Sequence, residues 1–170
     1  MKKILILLCL ILITGCSDKQ EENKYQKYEE DNKKIVEKIQ NIEIDGIKEF
    51  EGLMVLDNNT IETEMGLTIN DLENYIIQVP YFTDSKIYIV AKPSKDKEER
   101  VKNQINIYLD SIKHKLENLA LESPEETKDE MNKKLEMFNN MKKEEYNGYL
   151  IYISSSNNDQ ILNIITEYIK

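Results

Sequence analysis

Apolar side chains recur every three or four residues in five segments of the chain, a spacing typical of helices that bury one face. The most regular segment extends from Asp96 to Leu119. Another begins with Thr68 and Asp71, which have the spacing of a capping box, and ends at Pro80, because proline cannot continue a helix. The predicted helices cover about residues 32–43, 68–79, 96–119, 124–138 and 156–169.

Two other apolar runs, Ile87–Ala91 and Tyr149–Ile153, are continuous and rich in β-branched and aromatic residues. Such runs predict central strands that are covered on both faces. A shorter run, Leu53–Leu56, predicts a third strand. Because the strands are interspersed with helices, we predict an α+β fold, in which a small sheet of about three strands carries about five helices. Residues 35–170 are predicted to form this single domain.

The first residues of the chain have the pattern of a secretion signal. Two lysines precede Ile4–Ile13, an apolar run of ten residues, whereas a membrane span needs about 20. The run leads into a sequence similar to the lipobox of bacterial lipoproteins, composed of Ile13, Thr14, Gly15 and Cys16. The alternatives are an ordinary secretory leader and an uncleaved anchor. The lipobox interpretation predicts that residues 1–15 are removed and that lipid on Cys16 holds the protein at the extracytoplasmic face of the cell membrane.

The segment between the predicted lipid and the domain is polar. Residues 17–34 contain no aliphatic side chain, so they offer little apolar surface for packing. We predict that residues 16–34 form a flexible tether, whose root-mean-square span as a random coil is ~25 Å.

Charge and cysteine content narrow the classes of partner. The chain has a formal net charge of −9, which disfavours nucleic acid and anionic lipid surfaces. The expected partners are therefore the membrane, through lipid on Cys16, and an envelope protein. The other cysteine, Cys9, leaves with the leader, so we expect no disulfide in the domain.

No residue pattern predicts catalysis or a bound cofactor. His114, the single histidine, lies between lysines on a predicted helix, so a surface position is a simpler interpretation than a general base or a metal ligand. Asp57–Asn59 begins like a calcium loop, but Ile61 stands where an oxygen ligand belongs, so the segment predicts a turn. We therefore expect no enzymatic activity, no metal and no cofactor.

Two other features are candidate contact sites. Ser154–Ser156 lies between a predicted strand and a predicted helix, where a helix N-terminus can bind an anion. A polar loop with a helix cap is the simpler interpretation. The chain also has ten tyrosines, and Tyr81, Phe82 and Tyr149 are candidates for an aromatic contact patch. Packing of these rings in the core is the alternative.

Several segments carry a resemblance to a known family: Leu72–Ile77 ending near Pro80, Lys86–Val90, the helix with Val101, and Asn147–Ile151. In order and spacing they resemble the small Firmicute lipoproteins catalogued as domain of unknown function 4358. The chain departs from this family at Lys86, where an acid is usual, and at Leu119–Leu121, where an aromatic is usual. The resemblance implies a lipoprotein with one α+β domain, and it implies no activity, cofactor or catalytic residue.

Together these observations favour a non-catalytic envelope interaction module, because the anchor, the tether and the tyrosines are accompanied by no catalytic pattern. The alternative is an extracytoplasmic small-ligand-binding domain with a cleft near Ser154–Ser156 or at Tyr81 and Phe82, which requires a concave pocket with convergent polar groups. A third hypothesis, a glycosidase-like enzyme, requires two carboxylates ~5–9.5 Å apart across a cleft.

Overall fold

The structure, a computed structural model, describes residues 18–50, 53–80 and 84–169, with side chains from Lys27 onward. Its elements are, in chain order, α1 (Asp18–Gln40), β1 (Glu43–Ile44), β2 (Ile47–Lys48), β3 (Leu53–Val55), α2 (Asn58–Met65), β4 (Leu72–Pro80), β5 (Ile87–Pro93), α3 (Glu98–Glu122), α4 (Glu125–Asn139), β6 (Lys142–Tyr146), β7 (Tyr149–Ser154) and α5 (Asn158–Tyr168). The described strands form an antiparallel five-stranded sheet, in the order β3-β4-β5-β7-β6, and a separate hairpin of β1 and β2.

The five-stranded sheet separates two hydrophobic cores. Helices α2, α3 and α4 contribute to one core, and α1 and α5 contribute to the other. Successive side chains of a strand point to opposite faces. In β5, Ile87 and Ile89 therefore belong to the first core, whereas Tyr88 and Val90 belong to the second. The prediction of two central strands covered on both faces is confirmed, because β5 and β7 occupy inner positions and every residue of β7 is buried.

The predicted sheet of about three strands is wrong. The chain is α+β and has five helices in its described part, but one sheet has five strands and the other has two. Strand β6 escapes prediction because it consists of charged residues and a tyrosine, a composition that protects a sheet edge from pairing with another chain. Asn147 and Gly148, with φ of 50° and 76°, form the tight turn from β6 into β7.

The segment predicted as a helix from Thr68 to Pro80 forms a turn followed by strand β4. The capping-box residues make their bonds within this turn. The Thr68 amide donates to Asp71 Oδ2 at 2.9 Å, and the Asp71 amide donates to the Thr68 carbonyl at 2.9 Å. Strand β4 then pairs with β3 and β5 and places Ile76 and Ile77 in opposite cores. Burial between two strands therefore overrides the local helix signals.

Helix α1 includes most of the segment predicted as a flexible tether, residues 16–34, so that prediction is corrected from Asp18 onward. Lys33 and Lys34 each pair with a glutamate one turn earlier, at 2.6 and 2.7 Å. Pairs at this spacing stabilise the part of the helix that has no aliphatic side chains, and Ile35 and Ile39 in its last turns are buried in the core. The absence of aliphatic side chains from residues 17–34 was therefore a poor guide to the conformation of this segment.

The predicted leader and Cys16 lie outside the described residues. None of the helices in the described ranges combines the length and the apolar character that crossing a bilayer requires.

Helix α2 begins at the segment Asp57–Asn59, which was predicted as a turn. Asp57 is the N-cap, and its side chain accepts a hydrogen bond from the Thr60 amide at 2.8 Å. This bond lowers the pKa of Asp57. Gly66 ends the helix in the left-handed conformation, with φ of 65°. The residues that cap the two ends of α2, Asp57 and Gly66, can be read from the sequence. The helix itself has only eight residues, which are too few to show a clear helical spacing of apolar side chains.

Candidate functional site

Of the three residues of the predicted aromatic contact patch, only Tyr149 lies in the described part of the chain. Tyr149 is only 2% exposed and packs in the core beside α1 and α5. Tyr81 and Phe82 lie outside the described residues. Among the tyrosines with described side chains, Tyr146 alone is exposed. The alternative interpretation, that these rings pack inside the domain, agrees with the position of Tyr149.

The serine segment before α5 is already hydrogen-bonded to a carboxylate of the same chain, that of Glu49. Glu49 is buried, and its Oε1 accepts hydrogen bonds from Ser155 Oγ at 2.5 Å, from the Ser156 amide at 2.9 Å and from Ser156 Oγ at 2.5 Å. The N-cap of α5 is Asn157, the residue after this serine segment. The helix N-terminus thus meets a negative charge, as its dipole favours. The Glu49 carboxylate occupies the position that an external anion would take.

His114 lies on the exposed side of α3, where its Nδ1 is 3.0 Å from Glu117 Oε2. Its side chain is 75% exposed. Within the described ranges, no group of three or more histidine, cysteine, aspartate or glutamate side chains is arranged to hold a metal ion.

A polar cleft of about 600 Å³ lies where α1 and the end of α5 meet strands β4, β5 and β7. We call it the tyrosine–lysine cleft. It is lined by Lys27, Tyr28, Asp31, Asn32, Asn74, Lys92, Tyr149, Glu167, Tyr168 and Ile169.

Two asparagines form the floor of the tyrosine–lysine cleft. Asn32 Nδ2 donates to Asn74 Oδ1 at 2.8 Å, and Asn74 Nδ2 donates back to Asn32 Oδ1 at 3.2 Å. Asn74 Nδ2 also donates to the Tyr149 hydroxyl at 3.2 Å. Burial raises the pKa of Tyr149, against the opposing effect of this hydrogen bond, so the hydroxyl is neutral at physiological pH. The floor is therefore held in place by its own hydrogen bonds.

A lysine lies at the wall of the tyrosine–lysine cleft, between two aromatic rings. Lys92 Nζ is 2.9 Å from Glu73 Oε2 and donates to the Tyr28 hydroxyl at 3.3 Å. It also lies 5.6 Å from the ring centroids of both Tyr28 and Tyr149, a distance at which a cation is attracted to a ring face. The hydrogen bond with Glu73 raises the pKa of Lys92, so its ammonium group stays charged.

A second lysine contacts the same tyrosine. Lys27 Nζ lies 4.9 Å from the ring centroid of Tyr28, at the N-terminal side of the tyrosine–lysine cleft. The described residues place no carboxylate within ion-pair distance of Lys27. The cleft thus combines a rigid amide floor, aromatic rings and two ammonium groups.

A second, mainly apolar groove of about 430 Å³ lies on the other side of Asn32 and Asn74, between α1 and the edge formed by β3 and β4. Val36, Leu56 and Ile76 line it, together with Val55, which is 54% exposed.

Sequence reasoning did not identify Asn32, Asn74, Lys27 or Lys92 as site residues. Asn32 and Asn74 are 42 positions apart, and Asn74 and Tyr149 are 75 positions apart. The one local signal is Lys92, a charged residue directly after the buried run of β5. A lysine at a strand end is common, so this signal alone does not indicate a site.

Comparisons of the chain with protein-family models, with curated proteins and with solved structures give no match. The resemblance to the Firmicute lipoprotein family therefore stays a prediction.

Proposed function

We propose that this domain binds a small polar ligand in the tyrosine–lysine cleft, and that lipid on Cys16 holds it at the extracytoplasmic face of the membrane. The proposal rests chiefly on one observation. A concave site of about 600 Å³ has convergent polar groups whose positions are fixed by hydrogen bonds within the protein. Ligand sites typically combine such a cavity with a few well-placed polar groups.

The hypothesis of an interaction module built on exposed tyrosines has lost part of its support. Its candidate Tyr149 is only 2% exposed, so this ring offers almost no surface to a protein partner. The same residue lines the tyrosine–lysine cleft and anchors its floor. The alternative hypothesis of a small-ligand-binding domain required a concave polar pocket, and the cleft supports it at a place other than Ser154–Ser156 or Tyr81 and Phe82, where the sequence suggested one.

A second candidate function, protein docking, is favoured by the apolar groove between α1 and the β3–β4 edge. Strand β3 has only three residues, so in the described part of the chain the first half of β4 pairs with β5 on one side and has no strand on the other. The charged strand β6 protects the opposite edge of the sheet, whereas Val55 exposes apolar surface here. In-cell crosslinking through Val55 to one discrete envelope protein would favour docking.

Ligand binding is tested by titrating the purified full chain, in non-ionic detergent, with amino acids, sugars, organic acids and nucleotides. We expect at least one compound to change the backbone amide chemical shifts around Tyr28 and Asn74. A Tyr28→Ala variant should weaken that binding about tenfold, since the ring contributes roughly 1.4 kcal/mol. Tyr146→Ala, which removes an exposed tyrosine outside the cleft, is the matched control and should bind normally. If no compound affects the cleft, this function is wrong.

The lipid anchor is tested with Cys16→Ser. In a detergent phase-separation assay, the unmodified chain should enter the detergent-rich phase, because two acyl chains give stable attachment at about 0.8 kcal/mol for each buried CH₂. The Cys16→Ser chain should lose the lipid and move to the aqueous phase. Detergent partitioning that does not change in the variant would contradict the anchor.

A further inference from the structure

We infer that helix α1 is a rigid spacer that holds the domain upright on the membrane, with the tyrosine–lysine cleft nearer the lipid surface and the β1–β2 hairpin at the far end. This inference rests on the lipid anchor of the proposed function, because the spacer needs the lipid on Cys16 as its attachment. It goes beyond the anchor by stating which end of the domain faces the membrane.

Helix α1 connects the predicted anchor to the domain without a break. It begins at Asp18, so that only Ser17 lies between it and Cys16 in the sequence. Its 23 residues, which end at Gln40, have a length of about 34 Å at roughly 1.5 Å per residue. It contains neither proline nor glycine, the residues that most often kink or interrupt a helix. The sequence therefore leaves little room for a flexible linker between the lipid and the domain.

The second half of α1 is fixed to the domain. Ile35 and Ile39 are fully buried in the core that α1 shares with α5. Asn32 exchanges two hydrogen bonds with Asn74 of β4, at 2.8 and 3.2 Å. Because this half of the helix cannot turn without the domain, the direction of α1 sets the orientation of the whole domain on the membrane.

The composition of α1 favours an upright helix over one that lies flat on the lipid. A helix that lies in the membrane interface needs an apolar face to insert among the acyl chains. Residues 17–34 contain no aliphatic side chain, and Ile35 and Ile39 are already buried in the domain. The net charge of −9 also repels the chain from an anionic lipid surface. Both effects move the domain as far from the lipid as the length of α1 allows.

An upright α1 assigns a height to the cleft and to the hairpin. Lys27 and Tyr28 line the cleft and follow the start of α1 by about ten residues, which places them roughly 15 Å above the lipid surface. The β1–β2 hairpin follows the other end of α1, and its Ile47 is 68% exposed. The cleft would then receive solutes close to the membrane, whereas the hairpin would face away from it.

The test measures the heights of two points on α1 above the bilayer. A fluorophore is attached to Lys27→Cys or to Gln40→Cys, two exposed positions on the helix. The lipid-modified full chain is placed in phosphatidylcholine–phosphatidylglycerol vesicles, and energy transfer to acceptors on the lipid headgroups reports each height. The two positions are separated by about 20 Å along the helix. We expect the Gln40 label to lie farther from the lipid by more than about 10 Å, which corresponds to a helix tilt below about 60°.

Two insertions of equal length between Glu22 and Asn23 form a matched pair of controls. The insertion point precedes the packed half of α1, so the core is left intact. Seven helix-forming residues should preserve the height difference and raise both labels by about 10 Å. Seven glycine and serine residues should reduce the height difference by more than half, because a flexible joint lets the domain turn freely.

The outcomes separate this inference from the lipid anchor. If both labels lie at the same height in the anchored chain, the anchor stands and the upright spacer is overturned. A height difference that the glycine–serine insertion leaves unchanged would also overturn the spacer. If Cys16→Ser does not reduce energy transfer from the labels to the lipid, the anchor itself is contradicted and the inference falls with it.

Discussion

Replacement of Glu49 by alanine is expected to lower the free energy of unfolding by about 2–4 kcal/mol. The Glu49 carboxylate accepts three hydrogen bonds from Ser155 and Ser156, and it ties the loop after β2 to the start of α5. Alanine would remove the acceptor and leave the buried Ser155 hydroxyl without it. It would also remove the negative charge from the N-terminus of α5. Chemical denaturation monitored by circular dichroism measures the change.

Glu49→Gln is the matched control for this prediction. The glutamine side chain keeps an oxygen for the serine donors but carries no charge, so its loss of stability should be smaller. A double-mutant cycle of Glu49→Ala with Ser155→Ala should be non-additive, because the two side chains share one bond. A change within about 0.5 kcal/mol for Glu49→Ala would contradict the assigned network, since exposed positions without such contacts behave in that way.

Replacement of Asp71 by alanine should lower the free energy of unfolding by about 2–3 kcal/mol. Asp71 is buried, and its Oδ2 accepts hydrogen bonds from the amide and hydroxyl of Thr68, at 2.9 and 3.0 Å. Its Oδ1 lies 3.0 Å from Arg100 Nε and connects the turn before β4 to helix α3. Alanine would therefore release both the turn and the helix contact. Thermal unfolding monitored by circular dichroism measures this loss.

The contribution of Asp71 to the free energy of unfolding should also depend on pH in a defined direction. Burial by itself would raise the pKa of Asp71, but the hydrogen bonds from Thr68 and Arg100 outweigh it and hold the pKa below its usual value of 3.8. A carboxylate with a lowered folded-state pKa stabilises the fold above its unfolded-state pKa, and that stability is lost as the pH falls through the folded-state value. The stability difference between the unmodified chain and Asp71→Asn should therefore be full at neutral pH and shrink below about pH 4.

Arg100→Gln provides the control for the ion pair. Arg100 is 45% exposed, so its replacement should lower the free energy of unfolding by less than the replacement of Asp71 does. It should remove only part of the pH dependence that Asp71 gives to stability. A stability difference for Asp71→Asn that grows as the pH falls below about 4 would contradict the lowered pKa of Asp71.

The tyrosine–lysine cleft and the Glu49 network show why sequence motifs alone did not locate a site. The serine segment was a reasonable candidate, because a strand end followed by a helix often binds an anion. The sequence also contains the glutamate that fills this position, but Glu49 is 106 positions from Ser155. No local pattern connects the two residues, so only the tertiary structure shows that the helix N-terminus is already satisfied.

By itself, the sequence determined two kinds of element. These are helices whose stability is mostly local and strands that are completely buried. Helices α3, α4 and α5 follow their apolar spacing to within three residues, and β5 and β7 follow their continuous apolar runs. The tertiary structure decided the conformation of β4, in which pairing with two strands outweighs a helix-capping signal. It also decided the packing of α1, which buries Ile35 and Ile39 and joins Asn32 to Asn74. The cleft forms where the packing of α1 joins distant segments, and local periodicity carries no information about which distant side chains meet.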